Sequence, residues 1–355
     1  MCLKQNPKPQ QQNKKIQAVL QQRSRSGALL LFSLAIIGLD AIGQPNTIGF
    51  DAALVRRSLQ PLSLSGPMHY PKAVLDYFHY YGLDHPSLPH YFGTFCSGPY
   101  ICAVHVYKQD SVRGTVFLVH GYYDHTGILK NLISLLLDEK FCVAALDLPG
   151  HGLSNGEPAS IDSFEEYSTV FRDFLAAIGP SLPKPFSVLG HSTGCAVILN
   201  FLFKGNTVPF RDIILIAPLI RSEYWYLSKA AYALTSPFFP IMPRWLRRES
   251  SDTAFLSWFA RDPLQVQRFP VRWGTALYTW ENRIDTVTPR HFPVTIIQGT
   301  EDNTVDWRHN VPFLEQKIPG CSVFYIKTGR HQLMNESEPL RKQTMDCIRN
   351  ILERK

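Results

Sequence analysis

A serine stands between two glycines at the end of an apolar run, in the pentapeptide GHSTG of residues 190–194. The pattern G-x-S-x-G is typical of a nucleophilic serine held on a sharp turn. Glycine and serine are common, so the pattern also arises by chance. The flanking segments must therefore show whether the serine stands on such a turn. The run FSVLG before it predicts a strand, and TGCAVILNFLFKG after it predicts a helix. This is the strand-turn-helix context that a serine nucleophile requires, and it assigns Ser192 as the candidate.

A serine hydroxyl needs a base to take its proton and a carboxylate to orient that base. In a parallel α/β sheet these groups are expected in the order serine, acid, histidine, each just after the end of a strand. Asp302 follows the apolar run VTIIQG, and His331 follows SVFYIKTGR. We therefore expect Ser192, Asp302 and His331 to form a catalytic triad. The competing candidates are less well placed relative to the strand ends: Asp285, Asp306, His291 and His309.

Two backbone amides are expected to stabilise the oxyanion that forms when the serine attacks. One is the amide of Thr193, at the start of the helix after the serine, and the other is that of Tyr122 in the loop HGYYDHTG. Three further histidines, His120, His125 and His151, are predicted to support these loops through hydrogen bonds rather than to react.

The elements around these residues predict an α/β fold. From residue 91 onward, short apolar runs alternate with helix-like segments, which indicates a mostly parallel sheet with helices on both faces. Two of eight predicted strands form a hairpin that turns at SGP, residues 97–99. The alternation stops between residues 221 and 290, so this segment is predicted to be an insertion between two strands.

The net charge of +7 does not indicate a nucleic-acid-binding protein. Six basic residues precede the first acidic residue, so the remainder of the chain is nearly neutral: Lys4, Lys8, Lys14, Lys15, Arg23 and Arg25 precede Asp40. A nucleic-acid-binding domain would carry its basic residues on a face of the folded body.

The N-terminus allows two interpretations. A basic stretch, the apolar run GALLLFSLAIIG and small residues at 41–43 resemble a secretory signal, which favours export or membrane association over a cytoplasmic location. The run is short for a membrane crossing, and a tail followed by a helix packed on the domain stays open as the alternative. We divide the chain into this signal- or anchor-like tail (1–45), an N-terminal extension (46–90), the first part of the core (91–220), a cap insertion (221–290) and the second part of the core (291–355).

The seven cysteines show no spacing that suits zinc, and no metal site is expected. Most are expected to be small buried residues. Cys96 and Cys102 could pair across the hairpin, but free cysteines are favoured.

Five segments in chain order resemble motifs of the monoacylglycerol lipase and lysophospholipase branch of the α/β-hydrolase superfamily. They are HGYYDHTG, DLPGHGLSNGE, GHSTG, QGTEDNTVD and GRHQLMNE, and the resemblance spans Phe92 to Lys355. It implies the α/β-hydrolase fold with an eight-stranded sheet and a helical cap. It also implies Ser192, Asp302 and His331 as the triad, with Tyr122 and Thr193 as oxyanion donors. Thr193 departs from these lipases, which usually have methionine there, and the first ninety residues have no counterpart.

The predicted cap is rich in aromatic residues, which can form the wall of an apolar pocket for a fatty-acyl chain. They also suit the cap's own core. Arg244, Arg247 and Arg248 could meet a phosphate or an anionic membrane surface, although solvated charge is the more common role. The aromatic residues are Tyr224, Trp225, Tyr226, Tyr232, Phe238, Phe239, Trp245, Phe255, Trp258, Phe259, Phe269, Trp273, Tyr278 and Trp280.

These observations predict a serine hydrolase that cleaves carboxylic esters of lipids, of the monoacylglycerol or lysophospholipid type, through an acyl-enzyme. Its expected partners are a lipid-like ester and a membrane surface, and the chemistry needs no cofactor. Two alternatives stay open. One is an esterase, lactonase or amidase that acts on a small non-lipid substrate. The other is a non-catalytic binding protein with the same fold.

Overall fold

The computed structural model describes residues 49–66, 68–205, 207–244 and 247–353. The predicted tail at 1–45 and Trp245 lie outside these residues. Within them the helices are α1 (Ala52–Ser58), α2 (Lys72–Tyr81), α3 (Lys130–Asp138), α4 (Phe164–Ile178), α5 (Thr193–Phe203), α6 (Trp225–Thr235), α7 (Thr253–Phe259), α8 (Val271–Asp285), α9 (Trp307–Lys317) and α10 (Glu338–Glu353). No helix in this part of the chain is both long and apolar enough to cross a membrane.

The strands confirm the prediction of a mostly parallel sheet. They are β1 (His90–Ser97), β2 (Tyr100–Tyr107), β3 (Thr115–Val119), β4 (Cys142–Leu146), β5 (Phe186–His191), β6 (Phe210–Ile216), β7 (Ile241–Pro243), β8 (Arg268–Pro270), β9 (Val294–Gly299) and β10 (Ser322–Ile326). Eight strands in the described residues form one sheet in the order β1-β2-β4-β3-β5-β6-β9-β10. Within this sheet the pairs β1/β2 and β2/β4 are antiparallel, and all other pairs are parallel.

The central strands are buried along their whole length because helices cover both faces of the sheet. Every residue of β3, β4 and β5 is buried. Along β3, Phe117 and Leu118 belong to different core clusters, as expected when successive side chains point to opposite faces. Strands with two buried faces are continuous apolar runs in the sequence, which explains why they could be recognised there.

Helix α4 shows how the covering helices are specified. The side chain of Ser163 caps its N-terminus by accepting a hydrogen bond from the amide of Glu165, at 3.1 Å. Phe164, Phe171 and Phe174 follow at helical spacing and are all buried.

The predicted hairpin is confirmed, with Ser97 paired to Tyr100. Within it Cys96 lies opposite Ile101, and Cys102 lies opposite Phe95. Cys96 is exposed whereas Cys102 is buried, and all six cysteines in the described residues are free. The expectation of burial for most cysteines holds for three of the six described, Cys102, Cys142 and Cys195, whereas Cys96 is exposed on an edge strand. Cys321 and Cys347 are only partly buried.

Between β6 and β9 the chain forms α6, β7, α7, β8 and α8, with β7 and β8 paired as a separate two-stranded ribbon. We refer to residues 221–290 as the cap; its treatment as a separate insertion stays a prediction. Helices α1 and α2 lie before the first strand, and α2 buries Tyr77, Phe78 and Tyr81.

The first turn of α5 packs directly on the ends of neighbouring strands. A Cβ atom at Gly194 would lie 2.1 Å from the carbonyl oxygen of Val119, at the end of β3. A Cβ atom at Gly190 would lie 2.6 Å from Ile198 Cδ1 and 2.8 Å from the carbonyl carbon of Gly194. Both glycines of the G-x-S-x-G motif are therefore required by close approach of the backbone.

We expect Gly194→Ala to destabilise the fold by on the order of 3 kcal/mol, because the backbone of β3 cannot move aside for the new methyl group. Urea denaturation would measure this change in the free energy of unfolding. Gly179→Ala is the matched control. It is an αR residue whose added Cβ would make an ordinary 3.5 Å contact with Phe186, so its effect should stay within about 1 kcal/mol. Equal effects of the two substitutions would contradict this account.

Candidate active site

Ser192 occupies a strained turn between β5 and α5. Its backbone angles are φ 51° and ψ −112°, a region that residues with a side chain rarely adopt. Its amide donates a hydrogen bond to the carbonyl of Ile216 in β6, at 3.0 Å, which helps to hold this conformation. Ser192 is the N-cap residue of α5, yet its side chain makes no capping hydrogen bond. The hydroxyl is therefore free for another purpose, unlike that of Ser163 at α4.

His331 and Asp302 form a buried pair. The Nδ1 atom of His331 lies 2.8 Å from Asp302 Oδ2, and both residues are at least 95% buried. Asp302 Oδ1 also accepts hydrogen bonds from the amides of Thr304 at 2.8 Å and Val305 at 3.1 Å. These contacts fix the imidazole so that its Nε2 atom is the one not bonded to the carboxylate, which is the tautomer that a general base needs.

The electrostatics of this pair favour its charged form. Burial by itself would lower the pKa of His331, but the nearby carboxylate of Asp302 raises it above the ordinary value. Burial would likewise raise the pKa of Asp302, but the charge of His331 and the hydrogen bonds to the carboxylate bring it below its usual range. Such mutual shifts are expected where a carboxylate stabilises an imidazolium.

Ser192 and His331 line one cavity of about 400 Å³, together with Tyr122 and Thr193. The loop that carries Tyr122 runs directly against the serine, since a Cβ atom at Gly121 would lie 3.2 Å from Ser192 Cβ. Among the described residues, the amides of Tyr122 and Thr193 have no hydrogen-bond acceptor. Both sequence-predicted donors thus lie beside the serine with their N–H groups available.

The Tyr122 side chain holds its loop from two directions. Its hydroxyl donates to the carbonyl of Ala159 at 2.7 Å, and its ring stacks on Trp273 of α8 with a centroid separation of 3.7 Å. Because Trp273 belongs to the cap, the loop is fixed by contacts on both sides of the cavity.

A buried hydrogen-bond network joins this loop to the loop that carries His331. His191 Nδ1 lies 3.1 Å from Asp124 Oδ2, and His191 Nε2 lies 3.1 Å from the backbone oxygen of His331. Gln332 donates to both carboxylate oxygens of Asp124, at 3.2 Å. The residue before the serine therefore positions the loops on either side of it.

The three other histidines have the predicted supporting role. His120 Nε2 accepts from the amide of Leu148 at 2.8 Å, and His125 Nε2 contacts Asp262 Oδ2 of the cap at 3.0 Å. His151 Nδ1 lies 2.9 Å from the carbonyl of Pro149, and burial lowers the pKa of His151 to about 3. All three rings are buried within their loops.

The competing acids and histidines make other contacts. Asp306 caps α9 by accepting from the amide of His309, and the ring of His309 stacks on Phe313. His291 Nδ1 contacts the carbonyl of Pro319, and Asp285 is the last residue of α8. None of the four lines the cavity described above.

The cap contributes a largely apolar wall and three charged residues to the cavity. Its apolar and aromatic members are Ala231, Tyr232, Met242, Pro243, Phe269, Trp273, Leu277 and Tyr278. Its charged members are Arg244, Arg247 and Glu249. Sequence reasoning identified the arginines but did not identify Glu249, Asp124, His191 or Gln332. His191 and Gln332 could have been found as neighbours of Ser192 and His331, whereas nothing in the pattern around Glu249 marks it.

Among residues 49–353 as described, no cluster of three or more histidine, cysteine, aspartate or glutamate side chains is arranged to hold a metal ion.

Comparisons with known proteins agree with this architecture. Monoglyceride lipase of Rattus norvegicus is 23% identical over 267 residues, which cover 72% of this chain and 87% of that protein. Phospholipase YtpA of Bacillus subtilis is 25% identical over 210 residues, which cover 56% and 80% respectively. The structure of a soluble variant of monoglyceride lipase from Saccharomyces cerevisiae superposes with a TM-score of 0.63 at 19% identity, over 73% of this chain and 94% of that one. This structural likeness shows that the chain has the α/β-hydrolase fold.

The model of the family described as serine aminopeptidase, S33, matches residues 110–338, well over half of the chain. The match contains the loop of Tyr122, the Ser192 turn, Asp302 and His331. The chain therefore belongs to the serine aminopeptidase S33 family of hydrolases.

Proposed function

We propose that this protein is a serine hydrolase that cleaves the carboxylic ester of a lipid through an acyl-enzyme. The observation that carries the proposal is the cavity that is lined by both Ser192, on its strained turn, and His331, whose ring is held by Asp302. Membership of a hydrolase family supports the same conclusion.

In this mechanism His331 Nε2 takes the proton of Ser192 as the hydroxyl oxygen attacks the ester carbonyl. Asp302 stabilises the imidazolium that forms. The amides of Tyr122 and Thr193 stabilise the negative oxygen of the tetrahedral intermediate, each by roughly 3 kcal/mol. His331 then protonates the leaving alcohol, and water repeats the sequence on the acyl-enzyme with His331 again as base.

A lipid ester fits the cavity better than a sugar or a peptide does. The wall formed by α6 and α8 is mostly aromatic and aliphatic, with Ser228 and Thr235 as its small hydroxyl-bearing members, which suits an acyl chain. The named relatives include a monoglyceride lipase and a phospholipase, which supports a substrate of the monoacylglycerol or lysophospholipid type.

A second candidate is hydrolysis of an amide, because the family description names an aminopeptidase. The same serine, base and oxyanion donors would serve that reaction. An aminopeptidase would also need a group that binds the substrate's free amine. Esters and amides with the same acyl chain therefore belong in one substrate panel.

The cap presents an exposed apolar surface that supports association with a membrane. Tyr226, Leu227, Leu234 and Phe238 are each at least 70% exposed, and Phe239 is 58% exposed. Large exposed apolar patches mark interaction sites, and these residues lie on α6 and the turn after it, next to the cavity wall. Insertion of this surface into lipid would bring the cavity close to its substrate.

We expect Ser192→Ala to abolish labelling by a fluorophosphonate probe and to lower turnover of lipid esters by at least about 10³-fold, because no other group can form the acyl-enzyme. The measurement compares purified wild type and variant, first with the probe and then with esters of increasing acyl length. The thermal unfolding midpoint is the control for folding. Turnover that survives in the variant, or wild-type protein that is folded but does not react with the probe, would refute the assignment of Ser192.

The raised pKa of His331 predicts the acidic limb of the activity profile. His331 must be neutral to act as base, so activity should fall as the pH decreases through a pKa above the ordinary 6.5. Asp302→Asn removes the charge that raises this pKa, so the acidic limb should shift to lower pH while kcat falls roughly 10⁴-fold. The pH dependence of kcat/KM for both proteins measures this. An acidic limb that stays in place in Asp302→Asn would contradict the pairing.

The cap surface gives a prediction for membrane association. Phe238→Asp combined with Phe239→Asp should reduce binding of the full chain to phosphatidylcholine vesicles, since burial of each ring contributes roughly 2 kcal/mol. Vesicle flotation provides the measurement. Leu75→Asp is the matched control, because Leu75 is a 51% exposed apolar residue of α2, away from the cap sequence. Equal binding of the double variant and the control would argue against the cap surface.

A further inference from the structure

The active-site cavity contains charges that the proposed mechanism does not use. Arg244, Arg247 and Glu249 all line it, and all belong to one short segment that follows β7. Neighbouring Arg248 is exposed and does not line the cavity. The segment therefore directs three of its four charged side chains toward the site of reaction.

Among the described residues the two arginine side chains donate hydrogen bonds only to neutral groups, although the carboxylate of Glu249 interacts electrostatically with Arg244 and that of Glu223 with Arg247. Arg244 donates to the side-chain oxygen of Gln265 and, at 3.2 Å, to the carbonyl of Val266. Its guanidinium also lies over the ring of Tyr123, 3.9 Å from the centroid. This contact fixes the group beside the loop of residues 120–127, which carries Tyr122 and which we call the oxyanion loop. Arg247 donates to the carbonyl of Asn303. Each guanidinium has five N–H donors, so both retain donors and a full positive charge for a ligand.

Glu249 lies beside the catalytic histidine. Its backbone oxygen accepts a hydrogen bond from the amide of Gln332 at 2.8 Å, so the segment is anchored to the residue next to His331. Its carboxylate has no hydrogen-bond or ion-pair partner among the described residues. The other carboxylates near His331 are engaged, Asp302 by His331 itself and Asp124 by His191 and Gln332.

These positions locate the side of the cavity that holds the leaving alcohol. His331 must protonate the leaving oxygen, so that oxygen lies next to His331 in the reaction. Glu249 lies beside His331 and therefore flanks the alcohol, and Arg244 and Arg247 of the same segment line the same cavity. The largely apolar wall of α6 and α8 is left for the acyl chain.

We propose that Arg244, Arg247 and Glu249 form a subsite for a zwitterionic head group, an inference that rests on the proposed function. In this subsite the arginines bind a phosphate diester and Glu249 binds an ammonium group. The preferred substrate is then a lysophospholipid with an amine-bearing head group.

The charges of the three side chains match such a head group in sign. Guanidinium groups bind phosphate oxygens through paired hydrogen bonds, and a carboxylate pairs with an ammonium group. An uncharged glycerol offers no charge that is complementary to any of the three side chains. A head group that is only anionic satisfies the arginines but adds negative charge beside Glu249. Charges of both signs in one cavity thus select for a ligand that carries both.

The covalent chemistry does not change. The ester bond between the acyl carbon and the alcohol oxygen breaks, the acyl carbon gains an oxygen from water, and the alcohol leaves with a proton from His331. The phosphate diester stays intact, so the products are a fatty acid and a glycerophosphodiester that still carries the amine-bearing head group.

The test measures kcat/KM for three palmitoyl esters in mixed detergent micelles: palmitoyl glycerol, palmitoyl lysophosphatidylglycerol and palmitoyl lysophosphatidylethanolamine. They share the acyl chain and differ in head-group charge. We expect Arg247→Gln to lower the ratio of either lysophospholipid to palmitoyl glycerol about tenfold, as expected for loss of a charged hydrogen bond. Glu249→Gln should instead lower the ratio of the ethanolamine lipid to the glycerol phospholipid.

Arg248→Gln is the matched control, because it removes the same charge from the same segment without altering the cavity. Its ratios should equal those of the wild type. Arg247 is the principal variant because Arg244 also packs on Tyr123 and its loss could disturb the oxyanion loop. Arg244→Gln and Arg244→Lys then separate charge from packing.

The outcomes separate this proposal from the one on which it rests. Unchanged ratios in Arg247→Gln and Glu249→Gln would overturn the subsite while the ester hydrolase stands. A decrease in Arg248→Gln as large as that in Arg247→Gln would overturn it in favour of attraction to an anionic surface. Absence of Ser192-dependent hydrolysis of all three esters by the wild type would overturn the proposed function and the subsite with it.

Discussion

The contact between the first turn of α5 and the end of β3 is the constraint on which the site depends. It is possible only because Gly194 has no side chain, since a Cβ atom there would lie 2.1 Å from the Val119 carbonyl. This contact brings the N-terminus of α5, with the amide of Thr193, up to the loop that follows β3. The same loop carries Tyr122, so one packing contact places both candidate oxyanion donors around Ser192. The strained backbone of Ser192 is maintained by the surrounding sheet and helix, which over-determine its conformation.

A second layer of polar contacts connects elements that are remote in sequence. Asp262 Oδ1 of the cap accepts a hydrogen bond from the Tyr81 hydroxyl in α2, at 2.7 Å, and Asp262 Oδ2 lies 3.0 Å from His125 Nε2 in the loop that carries Tyr122. The N-terminal extension, the cap and the core thus meet at one fully buried carboxylate. Breaking a buried ionic contact typically destabilises a protein by about 3–5 kcal/mol, because the remaining charge is left without a partner. The loops of the candidate site are therefore held to the rest of the molecule by interactions whose loss is strongly destabilising.

The cap has two different surfaces, which fit the proposed activity. Toward the cavity it presents an apolar wall and a short charged segment, and toward solvent it presents exposed aromatic and aliphatic side chains on α6 and the following turn. A lipid ester has the same division into an acyl chain and a polar head. Under the proposed function, the outer surface of the cap would contact the lipid phase. Its inner surface would bind the acyl chain and the polar head group at separate places.

The sequence by itself determined the sheet and the candidate triad. The central strands are buried on both faces and so appear as unbroken apolar runs, and the residues after their ends, Ser192, Asp302 and His331, could be placed from chain order alone. The glycines at 190 and 194 also marked the turn, because close backbone approach excludes any side chain. Tertiary structure alone decided which charged residues line the cavity. The segment from Arg244 to Glu249 has no hydropathy period that reveals its orientation, so nothing local distinguishes Arg247, which faces the cavity, from exposed Arg248. The hydrogen-bond partners of Asp124, His191 and Asp262 could not be identified from the sequence either. Each pairing joins residues more than sixty positions apart and depends on how the loops meet.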